Sequence, residues 1–330
     1  MCARIASVAG VSIDWQAPTG RVTIRRMRKV MLLLAGVAGV AAAAPRSPEI
    51  AVADASKLLY GDAAAPESCA QDGEPIACLI EARYARDAKA KAIALALYRD
   101  TGDVAGVGPD EMMDGGYRGK IHLVPELPVG PYRGHLAWVA AAMMQIDAFF
   151  SAQFADGPAP AYRWRALAFR FVRSVKKRTP SAYAAAWSIE YNVEGSLLTS
   201  ATGVRETLFH ELFHLNDEQH GDWSGKALAK DYAAILAKCG AKDVRCLAAY
   251  APNTTMVRGG TYYAFQPDNG ATVHEYAAEL AVRYYGEQTE MRTAGKLMRR
   301  AFKCGPAENA RAWNALVDEF FAGRDLVPAC

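Results

Sequence analysis

Apolar side chains recur along this 330-residue chain at two spacings, and each spacing predicts one kind of secondary structure. Spacing of three and four residues predicts helices over residues 76–98, 136–154, 224–238, 271–285 and 306–321. Alternation with a period of two predicts strands over residues 165–173 and 184–193, and shorter strands at 120–124 and 197–198. Residues 45–65 and most of residues 101–134 are rich in proline, alanine or glycine, so we expect loops there.

A further helix is predicted over residues 204–215, where leucines recur at helical spacing. His210 and His214 stand four residues apart in it, so both imidazoles lie on one face and can reach one metal ion. Glu211 lies about 100° further round the helix. From there its carboxylate can hold a water molecule near the metal without itself becoming a ligand.

The segment His210-Glu211-Leu212-Phe213-His214 reads H-E-x-x-H and resembles the signature of the zincin superfamily of zinc metallopeptidases. With a more distant acidic motif, the resemblance covers about residues 163–287. It implies an α+β fold, in which a small mixed sheet lies over an active-site helix and a mainly helical C-terminal part follows. It also implies a zinc ion, peptide-bond hydrolysis and an edge strand, within residues 188–199, that pairs with extended substrate.

A catalytic zinc ion usually has three protein ligands, and two residues compete for the third position. His220 completes the spacing of the metzincin pattern H-E-x-x-H-x-x-G-x-x-H. Asp217 stands where that pattern has glycine, although aspartate also tolerates the left-handed conformation that a turn needs. A metzincin-like site would also have a methionine turn beneath the metal, for which Met256 is the candidate.

Glu275 is the other candidate, and it resembles the glutamate that gluzincins bring to zinc from a second helix. The E-x-x-A-E form at residues 275–279 is most similar to the lethal-factor-like branch. Glu279, four residues later on the same face, matches the acidic residue that orients a ligating histidine. Thr272 offers Glu275 a different role, because T-x-x-E is also a capping box. We predict Glu275 as the third ligand and keep His220 as the alternative.

Zincins often bind the developing oxyanion with a tyrosine or histidine, and Tyr263 is the predicted candidate, with His220 and His274 as further options. The predicted function is an exported zinc-dependent peptidase in which Glu211 acts as the general base. The alternative is an exported binding or inhibitory protein that keeps the zincin fold without catalysis. In the enzyme, the expected partner is a protein or peptide substrate.

Residues 1–43 are predicted to be a leader with a signal peptide. A basic region at residues 25–29 precedes a short apolar stretch at 30–40 and small residues at 41–43, and Met27 is a candidate for the true start. The apolar stretch is short for a membrane span, so no stable span is expected after cleavage. Residues 44–132 are then an N-terminal helical and loop region, and residues 133–330 the zincin-like catalytic region.

Cysteine usage agrees with export to a secreted or periplasmic location. The chain has seven cysteines, and loss of Cys2 with the leader leaves six, which could pair in fifteen ways. We expect the three pairs that are near in sequence: Cys69–Cys78, Cys239–Cys246 and Cys304–Cys330. Such bridges persist in oxidising compartments. The net charge of +3 gives no electrostatic case for binding nucleic acid.

Overall fold

The computed structural model describes residues 49–115, 118–162, 165–257, 260–266 and 272–330. Within these ranges the chain is a mixed α/β protein with ten α-helices and six strands. The helices are α1 (Val52–Tyr60), α2 (Pro75–Arg83), α3 (Ala88–Thr101), α4 (Arg133–Gln153), α5 (Ala201–Gln219), α6 (Trp223–Ala227), α7 (Ala229–Cys239), α8 (Val244–Leu247), α9 (Thr272–Ala294) and α10 (Ala307–Phe320). The strands are β1 (Val104–Val107), β2 (Glu111–Asp114), β3 (Lys120–Pro125), β4 (Ala168–Ser174), β5 (Ala182–Ala185) and β6 (Ser188–Asn192). The predicted leader lies outside the described residues.

The six strands form one mixed sheet around β4. Strand β6 pairs in parallel with one side of β4, while β1 and β3 share its other side, β1 in parallel and β3 antiparallel. Strand β2 extends the sheet from β3, and β5 extends it from β6, both antiparallel. The order β2-β3-β4-β6-β5 therefore leaves β2 and β5 at the two edges.

Alternating residues of β4 and β6 decide which face of the sheet is buried against the helices. Phe169, Phe171 and Ile189 are fully buried in the main hydrophobic core, together with apolar residues of α4 and α5. On the β5 edge, the Tyr183 hydroxyl donates a 2.5 Å hydrogen bond to a carboxylate oxygen of Glu111 on β2. Because side chains of the two edge strands meet, the sheet is curled.

The single strand predicted over residues 184–193 is wrong, because these residues lie in the β5–β6 hairpin. Ala186 and Trp187 connect the two strands, with φ angles of 48° and 61°. Two-residue hairpin turns of this kind favour asparagine and glycine, so an Ala-Trp pair carries no turn signal in the sequence. Trp187 is only 8% exposed, and the Arg165 guanidinium lies 5.3 Å from its ring, so tertiary packing holds the turn.

The edge strand also differs from the one expected within residues 188–199. Strand β6 lies inside the sheet, between β4 and β5, so β5 is the edge strand that packs beside α5. Residues 197–198 form a turn rather than a strand. Leu198 is buried in the main core, which accounts for its apolar character without strand pairing.

The predicted helix over residues 76–98 is instead two helices, α2 and α3, and Asp87 separates them. Its carboxylate accepts hydrogen bonds from the backbone N–H groups of Lys89 and Ala90, so it caps the start of α3. The same carboxylate binds the backbone N–H of Gly130 and the guanidinium of Arg133. One side chain therefore starts α3 and fastens the chain ahead of α4.

The loop expected over most of residues 101–134 contains three strands. The short strand predicted at 120–124 is confirmed as β3, whereas β1 and β2 were missed because each has only four residues. Pairing with β4, more than sixty residues away, stabilises β1. A side chain at Gly106 would collide with the backbone oxygen of Leu58, so glycine lets α1 approach β1 closely. Helix α1 itself lies where a loose lead-in was expected.

The C-terminal helices follow the predicted pattern more closely. The helices expected at residues 136–154 and 306–321 are confirmed as α4 and α10, and that at 271–285 continues as α9 to Ala294. The helix expected over 224–238 is divided into α6 and α7. Ser224 does not cap it, because the Ser224 hydroxyl bonds the Asp217 carboxylate instead.

The three predicted disulfide bonds, Cys69–Cys78, Cys239–Cys246 and Cys304–Cys330, are confirmed. They fit a protein of an oxidising compartment. Across the described ranges, no helix has both the length and the apolar character needed to cross a lipid bilayer.

Removing the Cys304–Cys330 bridge by a double alanine substitution should lower the free energy of unfolding more than removing Cys239–Cys246. The bridges span 26 and 7 residues. The longer loop restricts the unfolded chain more, which corresponds to about 3.5 against about 2.4 kcal/mol. Urea unfolding of both variants measures the difference. Equal losses would contradict this account.

The capping of α3 by Asp87 should make stability depend on acid pH. Hydrogen bonds from Gly130 and Ala90, with the Arg133 charge, lower the pKa of Asp87 from 3.8 to about 2. A lowered pKa adds stability above pH 4 that is lost as the pH falls towards 2. The stability difference between wild type and Asp87→Ala, measured by denaturant unfolding, should therefore shrink across that interval. Asp62→Ala, at an exposed turn, is the control. If its stability difference from wild type changes with pH in the same way, the capping by Asp87 is not the cause.

Candidate metal centre

Helix α5 presents the two histidines of the H-E-x-x-H motif on one face. Ser200 caps the helix, its hydroxyl accepting the backbone N–H of Gly203 at 3.1 Å. The helix then continues without a break to Gln219, and α4, α9 and β5 pack around it. This packing fixes the backbone that carries His210 and His214.

Three potential metal-donor atoms, two imidazole nitrogens and one carboxylate oxygen, converge between α5 and α9. The Nε2 atoms of His210 and His214 are 3.0 Å apart. Oε2 of Glu275, from the first turn of α9, lies 3.1 Å from the His210 nitrogen and 3.5 Å from the His214 nitrogen. Lone pairs that meet this closely favour a shared cation. Two imidazoles and one carboxylate are also a donor set found at catalytic zinc sites, so these residues fit the predicted metal.

Glu279 approaches the other side of the His210 ring. Its Oε1 lies 3.4 Å from Nδ1 of His210, and it shares a face of α9 with Glu275 one turn earlier. A carboxylate at Nδ1 holds the tautomer in which Nε2 is free to bind a metal. Glu279 therefore stands where a residue that orients His210 would be needed.

The charges around His210 favour a positive charge at this point. Burial lowers the pKa of His210, but hydrogen bonds to Glu275 and Glu279 outweigh it and hold that pKa well above the ordinary value. Burial raises the pKa of Glu275, yet bonds from His210 and His214 outweigh it and leave the pKa low. The carboxylate is thus ionised and ready to neutralise a proton or a metal cation.

Glu211 is buried beside the same group, with 7% of its surface exposed. Burial raises its pKa, although the neighbouring His210 and His214 and a hydrogen bond from the Ala184 backbone N–H act in the other direction. A carboxylate with a raised pKa accepts a proton more readily than an exposed one. Ala184 belongs to the edge strand β5, so this bond also links the predicted base to the edge of the sheet.

Tyr263 stands on a short 3-10 helix, Tyr263–Phe265, close to the histidines. Its ring centre is 5.7 Å from that of His210. Burial, then the charges of Glu275 and Glu211, raise the pKa of Tyr263 well above the ordinary value. Its phenol therefore stays protonated at neutral pH and can donate a hydrogen bond.

His220 belongs to a different set of contacts. It follows the last residue of α5, and its Nδ1 lies 2.6 Å from a carboxylate oxygen of Glu319. Its ring packs on Phe320. The helix also continues past Asp217 instead of turning there, and Met256 lies on a half-exposed bridge with Tyr262. The structure brings Glu275, and not His220, to the histidine pair.

A second cluster lies one turn along α5, and no sequence pattern predicted it. Asp217 accepts hydrogen bonds from the backbone N–H and hydroxyl of Ser224. Nδ1 of His274 lies 3.0 Å from Asp217, and Nε2 of His274 lies 3.3 Å from Asp222. The sequence gives one signal for this cluster, because Asp217 shares the helix face of His214. No sequence pattern indicates that Ser224 and His274 contact it.

Comparison with known proteins identifies no relative: no protein-family model, curated protein or solved structure matches the chain significantly.

Proposed function

We propose that this protein is an exported zinc-dependent peptidase with a zincin-like, gluzincin-type site, in which His210, His214 and Glu275 hold the metal. The observation that carries the proposal is the convergence of their three donor atoms within 3.5 Å of one another. A structural ion-binding role alone would give no use to a buried carboxylate at Glu211. The three disulfide bonds support export.

A zinc ion held by these residues would polarise the scissile carbonyl and acidify a water molecule. Glu211 accepts the proton of the attacking water and delivers it to the leaving amine. The raised pKa of Glu211 suits its role as base, because burial makes the ionised carboxylate less stable and so more ready to take up a proton. The Tyr263 phenol donates a hydrogen bond to the oxygen that becomes negative.

The edge strand β5 is the proposed binding strand for an extended peptide. The backbone N–H of Asn192 donates a hydrogen bond to the carbonyl oxygen of Ser181. In an antiparallel hairpin every second residue of a strand bonds its partner strand, so in β5 these are Tyr183 and Ala185. The backbone groups of Ala182 and Ala184 therefore point away from β6, towards the outer edge of the sheet. Within the described ranges no other strand pairs there, and the Ala184 N–H already bonds Glu211. A peptide added to this edge would run past the base.

The purified protein should contain one zinc ion per chain, and the third ligand should be Glu275. Glu275→Ala should weaken zinc binding by more than about a hundredfold, because even a residue that only orients a ligand contributes about 10–100-fold. His220→Ala should keep the wild-type affinity, since His220 bonds Glu319. Elemental analysis and competition with a chromophoric chelator measure both. Loss of zinc in His220→Ala alone would favour the metzincin-like alternative.

Glu211→Gln should keep zinc and lose hydrolysis by about 10²–10⁴-fold, since an amide cannot accept the proton. Digestion of a peptide library, followed by mass spectrometry, measures the loss. Glu206→Gln is the matched control, an exposed glutamate five residues earlier on α5. A fully active Glu211→Gln variant would place the base elsewhere. A wild-type chain that binds zinc but cleaves no peptide would indicate the binding-protein alternative.

A further inference from the structure

Two neighbouring residues of α9 bind two neighbouring positions on one face of α5. His210, His214 and Asp217 follow one another at four and three residues, so they form a single stripe along α5. Glu275 contacts the two histidines, and His274 contacts Asp217 at 3.0 Å. Adjacent helix residues point about 100° apart. Two such bonds therefore restrict both the rotation of α9 and its sliding along α5.

Asp217 is a fixed acceptor rather than a mobile surface carboxylate. It is 2% exposed. The backbone N–H of Ser224 bonds Oδ1 at 2.8 Å, and the Ser224 hydroxyl bonds Oδ2 at 2.5 Å. With both oxygens held, the Asp217 carboxylate cannot rotate away. The position of His274 is therefore set by α5 and α6 together.

His274 has unequal partners at its two ring nitrogens. At Nδ1 it meets the buried Asp217 and, at 2.8 Å, the Ser224 hydroxyl. At Nε2 it meets Asp222, whose side chain is 58% exposed and lies 3.3 Å away. Exposed ion pairs contribute little, so the bond at Nδ1 is the one that holds the ring.

We propose that His274, anchored on Asp217, is a positioning residue that sets the place of the Glu275 carboxylate and so the affinity for the metal. The inference rests on the proposed function, because it presupposes zinc at His210, His214 and Glu275. Glu275 lies in the first turn of α9, where the backbone N–H groups have no partner within the helix, so contacts of its side chains help to hold this turn in place. Metal sites lose affinity when a ligand is displaced by a fraction of an ångström.

The test measures the zinc dissociation constant of the disulfide-bonded protein by competition with a chromophoric chelator. His274→Leu keeps an apolar side chain of similar size and removes both polar contacts. It should raise the dissociation constant by about 10–100-fold. His274→Asn should stay close to wild type, because the asparagine amide nitrogen can occupy the place of Nδ1. Chemical unfolding of each metal-free variant separates lost positioning from lost folding.

Two control variants isolate the Asp217 bond. His122→Leu removes a histidine–aspartate contact of similar length, 2.7 Å to Asp110, on the distant strand β3. Asp222→Asn removes the charge at the exposed end of His274, and asparagine tolerates the positive φ of 61° at that position. Neither should change zinc affinity.

The outcomes separate this inference from the proposed function. A wild-type chain that binds no zinc overturns both. If the wild type binds zinc and His274→Leu has the same zinc dissociation constant, the positioning role alone is overturned. An equal loss of zinc affinity in His274→Asn and His274→Leu overturns it too. A second zinc ion per chain that disappears with His274→Leu would also overturn it, because the cluster would then be a cation site itself.

Discussion

The contact between α5 and α9 brings two imidazoles and two carboxylates together in a largely buried place, and the surrounding structure depends on this constraint. Charges removed from water are costly unless opposite charges and hydrogen bonds compensate them. His210 lies between Glu275 and Glu279, so each charge faces its complement. The arrangement is stable only while the two helices keep their distance, and a cation bound there would join them directly.

The side of α5 next to the histidines supplies packing that keeps this distance. Phe209 stacks on Tyr285 of α9 with ring centres 4.6 Å apart, and Phe213 meets Phe320 of α10 edge-on at 5.2 Å. Aromatic contacts of this kind have preferred geometries, so they restrict rotation of the helix. Helix α5 thus meets Glu275 with its histidines and the hydrophobic core with its phenylalanines and leucines, which explains why its leucine pattern and its histidines coexist.

The far end of α9 is fixed by a different set of bonds. The buried pair Arg283–Glu287 has its nearest atoms 2.5 Å apart, and Glu287 also accepts the backbone N–H of Phe302. The Cys304–Cys330 bridge closes the chain just beyond. Glu275 at one end of α9 is therefore carried on a helix whose other end is tied to the C-terminal segment. The same helix therefore contributes both to the packing of the C-terminal segment and to the position of Glu275.

The sequence by itself determined the features that depend on local spacing. A separation of four residues places His210 and His214 on one face, and long periodic segments specify α4 and α10. The disulfide pairs were also predictable, because each joins cysteines that are near in sequence.

Only the tertiary structure decided the features that depend on distant contacts. Strand β1 exists because it pairs with β4, and the turn at Ala186 and Trp187 is held by packing that no local pattern encodes. The choice between His220 and Glu275 has the same origin. Both have plausible motifs, but α5 continues straight past Asp217, which sends His220 to Glu319 and leaves the histidine pair to a carboxylate from α9. Spacing fixes directions within one helix, whereas the meeting of two helices depends on everything packed around them.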